Sequence, residues 1–129
     1  MPHFSIEYSA NLEEHVDMPA LLDVLRLAAI ETGLFPLAGI RIRAFKANHV
    51  SIADGDPRHA FLDLGIRLRE GRPQDAKEAA VSHIFKTLEG FLAPAMAQHS
   101  IALSMEMRDI DASLSPKAGS IRDHLKKDN

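Results

Sequence analysis

The most unusual chemical resource in this 129-residue chain is Pro2. Initiator methionine is readily trimmed when the second residue is small, and a proline freed in that way carries a secondary amine. An ordinary α-amino group titrates at about 7.7–8.0. At the mouth of an apolar pocket, beside guanidinium groups, such an amine gives up its proton more easily, because burial and neighbouring positive charge both disfavour the ammonium form. It then serves as a general base near neutral pH. Arg41 and Arg43 stand two residues apart on one stretch, and Arg72 stands at the turn into a helical pattern, where it is placed to face a ligand near that helix N-terminus. Arginine grips carboxylates through a planar two-point fork and stays charged while doing so. A neutral amine beside fixed cations suits removal of a proton from an acidic organic substrate, with the arginines stabilising the developing dienolate charge.

Other chemistries lack their residues. The chain has no cysteine, which removes disulfides, thiolate metal sites and Cys nucleophiles together. Seven histidines (His3, His15, His49, His59, His83, His99 and His124) show no H-x-H, H-x-x-x-H or H-E-x-x-H spacing, so no metal site is expected. Asp54-Gly55-Asp56 reads as a turn, since the ligand alternation and closing Glu of a calcium loop are missing. No G-x-S-x-G, Walker A or G-x-G-x-x-G motif occurs. Fifteen Lys+Arg against eighteen Asp+Glu give a formal charge of −3, so the broad basic field of a nucleic-acid binder is absent. No apolar run approaches the roughly 18 residues of a membrane span, and the N-terminus carries no export signal, so a cytoplasmic protein with no membrane partner is expected.

The elements that must position these residues follow from periodicity. Four stretches alternate apolar and polar side chains, the pattern of strands with one buried face. They run Pro2 to Tyr8, Gly39 to about Ala47, Ala60 to Arg69, and Ile101 to Asp109. A helix from about Pro19 to Thr32, with Asp17 as N-cap and Gly33 as stop, separates the first two; Leu21, Val24, Leu25 and Ala28 form its stripe. A second, from about Pro73 to Ala97, separates the last two, with Ala76, Ala80, Ile84, Leu88, Phe91 and Ala95 at helical spacing. The expected fold is α+β, one domain over 1–129 built from duplicated β-α-β units, residues 2–47 and 60–110, joined by a loop at 48–59. Each unit supplies a parallel strand pair to a four-stranded mixed sheet with two helices on one face. The other face, carrying Arg41, Arg43, Asp63, Arg67, Glu106 and Arg108, must meet water or another subunit, and Phe45 and Phe61 favour an oligomer. Residues 113–129, ending in a short amphipathic piece around Ile121 and Leu125 with Lys126-Lys127, are expected to dock on a neighbour or to fray.

Pro2-His3-Phe4 opening a strand, the duplicated layout and the run Thr32-Gly33-Leu34-Phe35-Pro36-Leu37-Ala38-Gly39-Ile40-Arg41 together resemble the 5-carboxymethyl-2-hydroxymuconate isomerase family of the tautomerase superfamily. Ala53-Asp54-Gly55, Gly71-Arg72 and Leu103-Ser104 with Glu106 extend the likeness over roughly residues 2 to 110. The resemblance implies a tautomerase-like homotrimer in which Pro2 is the base, Arg41 and Arg72 bind and polarise the substrate, and Arg43 is a second-strand match. It further implies a 1,3- or 1,5-proton shift converting a 2-hydroxymuconate-type dienol, an unsaturated dicarboxylate, to its conjugated 2-oxo form in homoprotocatechuate degradation. No cofactor is implied. Pro73 directly after Arg72 and the long 113–129 tail depart from the family pattern and bear on pocket shape.

Two other readings use the same terminus. Hydratase, dehalogenase or decarboxylase chemistry on the tautomerase fold needs a further carboxylate, Glu7 or Glu106, within hydrogen-bond reach of Pro2. A non-catalytic trimeric binding module needs no free amine at all.

Overall fold

The computed structural model describes residues 2–126, so Met1 and Lys127 lie outside the described residues. Strands β1 (His3–Ser9), β2 (Arg41–Ala47), β3 (Ala60–Arg69) and β4 (Ile101–Ile110) form one sheet in the order β2-β1-β3-β4. Pairing is parallel for β1 with β2 and for β3 with β4, and antiparallel for β1 with β3. Helices α1 (Met18–Glu31) and α2 (Gln74–Met96) connect the members of each parallel pair. The result is two β-α-β halves joined through their first strands.

Alternation explains the core. Phe4, Ile6 and Tyr8 of β1 and Leu62, Leu64, Ile66 and Leu68 of β3 are buried, as are Leu21, Leu25 and Ala29 of α1 and Ile84, Leu88 and Leu92 of α2. Each fully buried Leu, Ile or Phe contributes about 1.5–3 kcal/mol, so this single helix-covered face dominates stability. The edge strands lend Ile42, Ala44, Leu103, Met105 and Met107 in half-buried form. The side chains between these positions face the other way, and there Phe45 is 56% exposed.

Local signals set the helix ends. Asp17 Oδ1 accepts a hydrogen bond from Ala20 N at 3.1 Å, and Pro19 occupies the first turn, where its missing N–H costs nothing. Gly33 has φ +67°, a left-handed conformation that L side chains resist, and α1 stops there. Among the described residues no helix is long and apolar enough to cross a membrane.

The tail behaves differently from the sequence expectation. Instead of leaving the domain, it turns back where β4 ends: Ala112 N donates to Glu70 Oε2 at 2.6 Å, and Ser113 N and Oγ donate to Asp111 Oδ1 at 3.0 and 2.6 Å. The Glu70 and Asp111 carboxylates satisfy the backbone of this turn, and residues 115–118 then pass over the end of the sheet at which β1 begins. Leu114 remains 80% exposed.

Candidate active site

The antiparallel pairing of β1 with β3 brings together residues far apart in sequence. His3 is paired with Arg41 on one side and Arg67 on the other, and Arg67 with Arg108, so one row across the sheet reads Arg41, His3, Arg67, Arg108. Neighbouring strands are about 4.8 Å apart, which places two guanidinium-bearing residues directly flanking His3. Pro2, buried, immediately precedes this row. The next row places Arg43 beside Ser5, and beyond the first row Arg69 pairs with Ile110.

Arg43 Nη1 lies 3.2 Å from His3 Nδ1. A guanidinium can only donate, so Nδ1 is the acceptor and carries no proton. Burial, followed by the positive charges of Arg67, Arg43 and Arg41, holds the His3 imidazole below its ordinary value, in keeping with a neutral ring. Arg72 donates from Nη1 to the Arg69 carbonyl at 3.2 Å and from Nη2 to the Leu34 carbonyl at 3.5 Å. It braces the segment carrying Arg69.

A cavity of about 550 Å³ opens here, lined by His3, Arg41, Arg69, Ile110 and the tail residues Ser115 and Lys117. A second, of about 330 Å³, adjoins it through Arg41, Lys117 and Ala118 and extends toward Pro36, Ile121 and Arg122. Of the sequence-derived candidates, Arg41 borders both cavities, Pro2 sits next to the wall residue His3, Arg43 acts on His3, and Arg72 stands behind the wall. A lining of guanidinium and ammonium donors favours a multiply charged organic anion and repels a metal cation.

Arg67, Arg69 and Lys117 were not singled out as site residues by the sequence. The two arginines could have been found by pairing the first and third strands antiparallel, since that register sets Arg67 against His3. Lys117 has no such signal: only the return of the tail brings it to Arg41.

The family model for 5-carboxymethyl-2-hydroxymuconate isomerase matches residues 2–125. A curated relative from Escherichia coli, 5-carboxymethyl-2-hydroxymuconate Delta-isomerase, is 31% identical over 121 residues, 94% of this chain and 96% of the relative. The crystal structure of a 5-carboxymethyl-2-hydroxymuconate isomerase from Deinococcus radiodurans R1 superposes with a TM-score of 0.89 at 30% identity, covering 98% of this chain and 95% of that one. A fused 4-OT symmetric trimer matches at a TM-score of 0.65 and 17% identity, over 90% of this chain and 93% of that one, a likeness of fold alone.

Proposed function

The chain belongs to the 5-carboxymethyl-2-hydroxymuconate isomerase family, and from that premise we propose that it shifts a proton within a 2-hydroxymuconate-type unsaturated dicarboxylate, with the Pro2 nitrogen as general base. The observation that carries the reading is the cavity of about 550 Å³ lined by Arg41, Arg69 and Lys117, at the end of the sheet where Pro2 directly precedes the lining residue His3.

Arg41 and Lys117 hold the carboxylates, and Arg69 balances charge on the far wall. The neutral Pro2 amine removes a proton from the dienol, leaving a dienolate whose negative charge spreads toward the cations. The prolinium then returns that proton to a carbon, giving the conjugated 2-oxo product; no net proton is consumed and no redox change occurs. The neutral His3 ring lets Arg43 dock on Nδ1 without adding a competing cation next to the amine. Homoprotocatechuate degradation is the setting that the family points to. A homotrimer would cover the open face around Phe45.

Catalysis requires that Met1 be removed, because within a peptide bond the Pro2 nitrogen has no basic lone pair. Intact-mass measurement of the native protein, paired with the ultraviolet absorbance of a 2-hydroxymuconate-type dienol, tests the reading: a chain beginning at Pro2 turns the dienol over, and failure to do so rejects the proposal. Persistent retention of Met1 in the native protein would favour the binding-module reading instead. Water-adding chemistry is disfavoured within the subunit. Glu7 is five residues along β1 from Pro2, a separation of roughly 16 Å, and Glu106 pairs with Gly65 on the far side of the sheet centre.

A further inference from the structure

The opposite end of the sheet holds a second cluster that the isomerase reading does not use. His59, the residue before β3, is gripped from both sides: its Nε2 lies 2.7 Å from Asp54 Oδ1 and its Nδ1 lies 2.6 Å from Ser100 Oγ. A single neutral tautomer satisfies both contacts, with Nε2–H donating to Asp54 and the Ser100 hydroxyl donating to Nδ1. Hydrogen bonds to their backbones hold His59 and Ser100 in place. His59 N donates to the Asp56 carbonyl at 3.1 Å, the His59 carbonyl accepts from Asn11 Nδ2 at 2.9 Å, and the Ser100 carbonyl accepts from Ala60 N at 2.8 Å. The Asp56 backbone N–H, then His59, keep the Asp54 carboxyl below the usual carboxylate range.

A cavity of about 400 Å³ opens on Ser100 and His59, bordered by His15, Arg58, Gln98 and His99. The His15 and His99 rings stack at 3.5 Å and form a flat wall. Asn11, which also borders the cavity, keeps its Oδ1 buried with no hydrogen-bond partner among the described residues. Nucleophile, base, orienting carboxylate and adjoining space are the parts that acyl transfer to serine requires.

We propose that Ser100, His59 and Asp54 form an acyl-accepting site for small activated carboxylic esters. Ser100 Oγ bonds to the acyl carbon as its proton passes to His59 Nδ1, and Asp54 stabilises the imidazolium. The bond from the acyl carbon to the ester oxygen then breaks as His59 hands that proton to the departing alcohol, leaving acyl-Ser100. Water, deprotonated by the same ring, releases the carboxylic acid and restores Ser100. The step is redox-neutral and independent of Pro2.

The test treats the full chain with p-nitrophenyl acetate and, separately, with a fluorophosphonate, and locates the adduct by peptide mass mapping. Mapping is needed because Pro2 and the lysines are competing acyl acceptors. The expected result is modification at Ser100 well ahead of Ser51, Ser82 and Ser113, slowed about 10²-fold or more by His59→Gln and reduced also by Asp54→Asn. Ser100→Ala should remove the adduct and leave dienol isomerisation unchanged. Labelling of Ser100 no faster than of the other serines, or unaffected in a folded His59→Gln or Asp54→Asn chain, overturns the proposal.

Discussion

The first β-α-β half begins at one end of the sheet and the second begins at the other, and the two ends share a backbone plan while differing in nearly every side chain. In each half a parallel strand pair opens with two residues side by side, His3 with Arg41 and Ala60 with Ile101. The residues just before those pairs are Pro2 and Ile40 at one end, His59 and Ser100 at the other. At the first end Arg41, Arg69 and Lys117 line the space, so the chemistry favours anions. At the second, Asp54 and Asp56 stand close by and Arg58 is already forked on Asp56, its Nη2 2.7 Å from Oδ2, so little free positive charge remains. Duplication thus repeats a place without repeating its chemistry. The tail sharpens the contrast, since it leaves β4 at the first end and roofs that end alone.

The strongest way to break this comparison is at Pro2. Pro2→Ala, which leaves a primary amine after trimming, should lower kcat about 10²-fold or more, with Ser100 labelling and circular dichroism unchanged. If both ends lose function together, the two are not independent. Arg41→Ala comes next: a charged hydrogen bond is worth about 1.5–3 kcal/mol, so kcat/KM should fall about 10- to 100-fold, read from initial rates with a dicarboxylate dienol. Lys117→Ala should act less, because the residue is exposed and its charge is screened by solvent. A rise in KM of about two- to fivefold at unchanged kcat is expected, and it should vanish for a monocarboxylate dienol.

The smallest effect is in stability. Native His3 resists protonation relative to the unfolded chain, whose histidine titrates near 6.5. Below that pH the unfolded state therefore binds more protons, so the His3 contribution is present at neutral pH and is lost as pH falls through the lowered native value. Thermal unfolding followed between pH 7 and pH 5 should show a shallower loss of Tm in His3→Gln than in the parent chain.

Much of the fold is legible in the sequence because each strand buries only one face. The alternation of Leu62, Leu64, Ile66 and Leu68, and the cap at Asp17, are local signals, and both are realised. The family likeness and the roles offered for Pro2 and Arg41 rest on a terminus and a run of ten residues, also local. What was hidden is non-local. Arg67 meets His3 only through the antiparallel join between halves, and Lys117 reaches Arg41 only because carboxylates at Glu70 and Asp111 turn the tail back. Asp54, His59 and Ser100 match no motif, since their meeting depends on two strand starts lying side by side.

The proposed isomerisation depends above all on the state of the Pro2 nitrogen. The decisive measurement compares dienol turnover by the chain that begins at Pro2 with turnover by the same chain retaining Met1, each verified by intact mass. Turnover confined to the trimmed chain is the predicted result; equal rates from both would contradict it.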